Sequence, residues 1–245
     1  DPKWKGRICT RSGQHSYNIG LFASMIAHHG QEYTEKWLRG VKANLARKPN
    51  GADRDQVKAI AAGVDGLVVE GGEGGGFKNP CDVALMVLLP LIRSKVDVPI
   101  IAAGGMVCGR TMAAAFALGA EGIQMGTRMV SAAESPVHHN WKDAIISAKE
   151  TDTVFLNRHG PGPALRALRT EKTTALDLNP QGDVRPEFAN IRDLYFGGDL
   201  ESSIALTGQV AGRIDSVKPV KQILEETIAE FEDEIARLCA SYNAR

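Results

Sequence analysis

The 245-residue sequence has no excess of charge of either sign, with 29 Lys and Arg against 29 Asp and Glu. A balanced chain sets up no global field toward nucleic acid or an anionic membrane surface, so a small-molecule partner is expected. Cysteine is scarce and scattered. Cys9, Cys81, Cys108 and Cys239 lie far apart without CxxC spacing, which argues against a zinc site or a disulfide framework and for reduced thiols. Long hydrophobic runs are missing as well. The longest, around residues 83–92 and 98–103, are too short and too interrupted to cross a bilayer. No signal-peptide pattern stands at the amino end. These absences lead to the expectation of a cytoplasmic protein that engages neither nucleic acid nor membrane, and the length allows a substantial core.

What is present is glycine, concentrated where apolar runs end. "VDGLVVEGGEGGG", residues 64–76, passes from an apolar burst into a glycine cluster. Val64, Leu67, Val68 and Val69 are contiguous and mostly β-branched, the pattern of a strand buried on both faces. Glycines at its exit leave the backbone N–H groups open to an anion or a flat ring. A lone glycine cluster also reads as a flexible turn.

The rhythm then repeats as strand, loop and helix. Residues 83–93 predict an apolar helix, 99–103 a buried strand, "GGMVCGR" a loop, 111–118 a helix, 122–125 a strand and "GTR" its exit. Three such units in succession imply right-handed crossovers and a parallel sheet or barrel. Upstream, residues 6–11 read as a short strand, 17–28 and 33–47 as helices, and a further helix carrying Val57 and Ile60 stops at Gly63. After Glu150 the pattern loosens into loop-rich sequence, and 220–238 forms a last amphipathic helix.

Together, "VDGLVVEGGEGGGF", "VDVPIIAAGGMVCGRTMAAAFALGAEGIQMGTRMV", "AAESPVHHNWKDAI" and "IALTGQVAGRI" resemble the carboxyl half of the flavin-dependent nitronate monooxygenase and enoyl reductase family, over about residues 63–245. The resemblance implies a TIM-barrel-like α/β fold binding FMN, with strands at 66–70, 98–103 and 122–126 in the sixth to eighth places. Too few strands are present to close a barrel, so a partial half-barrel of parallel βα units with a helical carboxyl-terminal tail is expected. The resemblance places the FMN phosphate at Gly104, Gly105, Gly126 and Thr127, where glycine exits of adjacent strands offer N–H donors. Gly74, Gly75 and Gly76 would form a wall of the flavin pocket, and Gln124 would face either the flavin or the barrel interior. Arg128 would add charge or be an ordinary exposed arginine.

The catalytic residue stays open. Many relatives end the glycine-rich loop in a proton-transferring histidine, whereas this chain has Phe77, and a phenyl ring exchanges no proton. "GGEGGGFKNP" instead resembles a subgroup that reduces enoyl-CoA-type substrates. Glu73 and His159 are the remaining ionisable candidates, while His138 and His139 suit a surface or capping role.

"DPKWKGRICTRSGQHSYNIGLFASMIAHHG" and "EKWLRGVKANLARKPNGADRDQVKAIAAG" resemble a different family, the periplasmic ferric-ion-binding proteins, over about residues 1–63. The resemblance implies anion binding at Ser12 and Gly13. The tyrosine pair that holds iron in that family should follow the position of Val64, and no tyrosine stands there, so no metal site is expected. The chain therefore reads as a chimera: a foreign segment over 1–63, a partial flavin-binding barrel over 64–150, and a loop-rich tail with a helix over 151–245. The expected function is that of an FMN-dependent oxidoreductase of the nitronate monooxygenase or enoyl-(CoA or ACP) reductase class. An anion-binding module and an inactive recombined fold are the alternatives. Open sheet edges lead to the further expectation of a homodimer.

Overall fold

The structure, a computed structural model, describes residues 65–242 except 161 and 181, together with residues 28–45 and positions 5, 21, 22, 25 and 26. Ser12, Gly13, the strand predicted over 6–11 and the helix carrying Val57 and Ile60 lie outside the described residues. The chain divides into two compact units, residues 1–67 and 68–245.

In the first unit, helix α1 spans Gln31–Ala43. Trp37, Leu38 and Val41 are half-buried while Glu35, Lys36, Arg39 and Lys42 are exposed, the division that the 3.6-residue period of the sequence predicts.

Apart from Leu67, the first residue of β1, the second unit holds two three-stranded sheets. The first is ordered β1 (Leu67–Glu70), β3 (Ile100–Ala103), β4 (Gly122–Gln124). Strands β3 and β4 run parallel, with Ile101 opposite Gly122 and Ala103 opposite Gln124. Helix α2 (Leu85–Arg93) lies between β1 and β3 in the sequence, and helix α3 (Gly109–Ala117) makes the crossover from β3 to β4. This is the expected partial barrel, and it does not close. The reading of β1 as buried on both faces is corrected here: Val69 is buried, but Val68 is 53% exposed and Ile101 of β3 is 41% exposed. Contiguous valines match a barrel whose interior is filled from all sides, and three strands fill only one side.

The second sheet corrects the reading of a loop-rich stretch after Glu150. Strands β5 (Thr153–Leu156) and β6 (Ala164–Leu168) pair antiparallel, and β2 (Gly76–Lys78), the end of the glycine-rich stretch, joins the other edge of β6. The glycine- and proline-rich connection after β5, the glycine of β2 and the arginine of β6 hid these strands in the sequence. All five residues of β6 are buried, Arg166 among them, so the strand lacks the alternation that marks a half-exposed strand. Val154, Leu156, Leu165, Ala167, Val184 and Ile204 form its core. A second core gathers around Trp141 and Ile145 of helix α5 (His139–Ser147) with Leu194, Ala211 and Ile214. Short helices α4 (Thr127–Val130) and α6 (Glu171–Leu178), the long α7 (Val220–Tyr242) and helical turns at Arg185–Phe188, Asp193–Gly197 and Gln209–Arg213 fill out the unit. Close approach is essential where α3 meets α7: a Cβ on Gly109 would lie 2.5 Å from the Thr227 carbonyl oxygen.

Candidate functional site

Three strand exits converge. The loop after β1, residues 71–75, meets the loop after β3 at Gly104, where the backbone is left-handed (φ +80°) and a Cβ would stand 2.9 Å from the Gly71 oxygen and 3.0 Å from the Gly74 nitrogen. Only glycine fits there. The Gly71 N–H donates to the Ala103 oxygen at 2.9 Å, fastening the two exits together. Gly105, also left-handed (φ +77°), and Gly126 border open space instead: a Cβ on Gly105 would meet only the Glu73 Cβ, at 4.0 Å, and one on Gly126 would meet nothing within 4 Å. The N–H groups of Gly104, Gly105 and Gly126 find no acceptor among the described residues. Donors without protein acceptors beside open space are what an anion or a polar ring edge requires.

The exit of β4 is tied to a segment to which the sequence assigned no role. The hydroxyl oxygen of Thr127, a buried residue, accepts the Gly208 N–H at 2.9 Å, and the Gln209 N–H donates to the Glu73 oxygen at 2.9 Å. A Cβ on Gly75 would lie 2.6 Å from the Gly208 nitrogen, so Gly75 faces Thr207–Gln209 across a close backbone contact. "LTGQVAG" is visible as a motif in the sequence, but only the fold brings it against the glycine-rich loop. Gly74 packs against Glu70 and Lys78. Gly76 opens β2, opposite Arg166. Gln124 is exposed at the end of β4.

The ionisable candidates separate. Both oxygens of the Glu73 carboxylate accept the Leu85 N–H at 3.0 Å, so the side chain caps the start of α2. His159 is exposed in the connection between β5 and β6. His138 caps α5, its Nδ1 accepting the Asn140 N–H at 3.2 Å. Phe77, the residue in place of the histidine, packs its ring 5.6 Å from Phe188 against the core of the antiparallel sheet. Arg128 is not an exposed loop arginine. It is buried, donates through Nη2 to the Ser216 oxygen at 2.8 Å, and its Nε meets no partner among the described residues. Burial lowers its pKa, against the opposing pull of Asp215 and Glu226.

Two buried cations underlie the glycine-rich loop, and sequence reasoning missed both. Lys78 pairs with Glu70 at 2.5 Å and donates to the Gly71 oxygen at 3.2 Å. Burial draws its pKa below the ordinary lysine value, with Glu70 pulling the other way. Arg166 donates through Nε to the Gly72 oxygen at 2.8 Å. Nothing in the sequence distinguishes either residue from a surface cation. No group of His, Cys, Asp and Glu among the described residues is arranged to hold a metal ion, and no described helix is long and apolar enough to cross a membrane.

The nitronate monooxygenase family model matches residues 44–230. FabK from Thermotoga maritima superposes with a TM-score of 0.72 at 33% identity, covering 93% of this chain and 76% of that one. A Rhodococcus jostii hydroxy-methyl-oxo-octahydroindene-carboxyl-CoA dehydrogenase is 39% identical over 127 residues, which is 52% of this chain and 35% of the dehydrogenase. The chain thus spans about a third of that relative's length. A likeness of a second kind accompanies these: iron uptake protein A2 of Synechocystis is 45% identical over 69 residues, 28% of this chain and 20% of that protein. The sequence therefore carries segments akin to two families, as a chimera does.

Proposed function

Because the chain belongs to the nitronate monooxygenase family, we propose that it is an FMN-dependent oxidoreductase acting on a small molecule, of the nitronate-oxidising or enoyl-thioester-reducing class. The observation that carries this reading is the convergence of glycine exits: a clash-limited approach at Gly104 beside open space and N–H donors at Gly105 and Gly126 that find no acceptor among the described residues. A phosphate needs several N–H groups aimed at one point with no Cβ between them, and in this reading Gly104, Gly105 and Gly126 would supply them. Thr127 adds a hydroxyl whose oxygen already accepts the Gly208 N–H, which leaves its proton free to donate. Gly74, Gly75 and Gly76 line the neighbouring wall, and Gln124 stands at its rim. When bound, the flavin supplies hydride or single-electron transfer at its ring; the chain binds the phosphate and orients the ring.

Between the two classes, the loop favours reduction of an enoyl thioester. Phe77 is committed to the core of the antiparallel sheet and the Glu73 carboxylate to Leu85, so neither is placed to take a proton from a nitroalkane carbon. His159 remains the outside candidate for proton transfer. The free thiols of Cys81, Cys108 and Cys239 suit a reducing, cytoplasmic compartment. The exposed apolar side chains of β1 and β3 suit a homodimer. The visible spectrum of the purified protein titrated with FMN tests the reading. A bound-flavin spectrum that saturates at one equivalent is the expected result, and failure of the protein to retain or quench FMN refutes it.

A further inference from the structure

Arg166 is a buried arginine in the middle of a central strand, and every feature around it directs its guanidinium across the sheet. In register, β6 places Arg166 between Gly76 of β2 and Phe155 of β5. Cross-strand partners project on the same face. With no side chain, Gly76 leaves that face open, while the Phe155 ring supports the guanidinium from the other side, 5.3 Å from its centroid. Nη1 donates to the Thr153 hydroxyl at 3.3 Å and Nη2 faces the Asp82 carboxylate at 3.7 Å. With these two anchors set, Nε delivers its proton to the Gly72 oxygen at 2.8 Å, 94 residues away in sequence.

The carbonyl and the N–H of one peptide unit point in opposite senses because the unit is planar and trans. Holding the Gly72 oxygen toward β6 therefore turns the N–H of Glu73 away from β6, and that N–H has no acceptor among the described residues. The Glu73 backbone oxygen also accepts the Gln209 N–H at 2.9 Å, and the Glu73 Cβ lies 4.0 Å from where a Cβ on Gly105 would stand. A glycine-rich loop samples many conformations unless something outside it selects one.

We infer that Arg166 is a positioning residue: its fork, anchored by Thr153 and Asp82, locks loop 71–75 in the conformation that presents the Glu73 N–H and the open side of Gly105 to a bound ligand. With respect to FMN, this inference rests on the flavin reading above; with respect to loop order, it stands independently.

The test uses the full chain as wild type, Arg166→Met, Arg166→Lys and Thr153→Val, with two readouts. Amide hydrogen exchange at residues 71–75 is followed without flavin, and FMN affinity is measured by quenching of flavin fluorescence. Thermal melting checks that each variant folds. In Arg166→Met, exchange at 71–75 should accelerate about tenfold relative to α5 and β5, and FMN binding should weaken by about tenfold or more, the size of one charge-assisted hydrogen bond. Arg166→Lys keeps the charge but not the fork and should not restore either quantity. If Arg166→Met does not fold, Thr153→Val carries the test, with a several-fold acceleration confined to the loop. Unchanged loop exchange in whichever of these two variants folds overturns the inference, as does full rescue by lysine. If wild type binds no FMN, the flavin reading fails alone, and the exchange data still decide the role of Arg166.

Discussion

Thr127 and Gly208, 81 residues apart, are joined by a single hydrogen bond in which the Thr127 hydroxyl oxygen accepts the Gly208 N–H at 2.9 Å. It fastens the exit of β4 to the segment that backs the glycine-rich loop, so one side chain serves both the fold and the proposed phosphate site. Thr127→Val keeps the shape and leaves a buried N–H without its acceptor, which costs about 1–3 kcal/mol. The variant should melt at lower temperature and lose FMN affinity, whereas Thr127→Ser should behave as wild type in both measurements. Equal melting temperatures for the valine and serine variants would remove this bond from the account.

Gly126 and Gly104 should respond differently to the same substitution. Gly104→Val drives a Cβ against the Gly71 oxygen from a left-handed backbone, and strain of that kind costs about 1–3 kcal/mol, so flavin loss there would be mixed with loss of fold. A Cβ on Gly126 meets nothing within 4 Å. Gly126→Val should leave stability within about 0.5 kcal/mol of wild type while filling the ligand's space. Denaturant unfolding and FMN titration of the two variants separate the effects, and a Gly126→Val protein that binds FMN normally would move the phosphate elsewhere.

Lys78 gives the unfolding equilibrium a signature at alkaline pH. Burial lowers its folded-state pKa below the ordinary value of 10.5, so between those two values the unfolded chain holds more protons than the folded one. Stability contributed at this site therefore rises as pH increases through that window, and the cost of burying the charge is fully felt below it. Urea unfolding of wild type from pH 8 to 10.5 should show this rising component, and Lys78→Met should abolish it. Identical slopes for the two proteins would mean that Lys78 keeps its proton throughout.

The exposed side of the first sheet predicts self-association. Val68 and Ile101, at 53% and 41% exposure, contribute roughly 1.5–3 kcal/mol each when fully buried, which favours association through that face. Light scattering at micromolar concentration should give a dimer, and Val68→Thr with Ile101→Thr should shift it toward monomer. A monodisperse wild-type monomer would refute this assembly.

Hydrophobic period and glycine punctuation alone determined the strand, loop and helix units of β1, β3 and β4, because each is a local pattern bounded by residues that break it. They also determined the amphipathic face of α1 and the glycine exits of the candidate site, whereas the apolar stripe read for α7 buries Ile223 but leaves Leu224, Ile228 and Ile235 exposed. Only tertiary structure decided which of those glycines are close contacts and which border open space, because the distinction between Gly104 and Gly126 depends on atoms from other loops. Tertiary structure also revealed the antiparallel sheet. Its central strand, "ALRAL", contains an arginine that local reasoning places in water, yet Arg166 is buried because Gly72, Thr153 and Asp82, each distant in sequence, satisfy its donors and its charge. The same holds for Glu73, whose carboxylate looks like free chemistry in the sequence and is a helix cap in the fold, since the N–H that it accepts belongs to Leu85, twelve residues away.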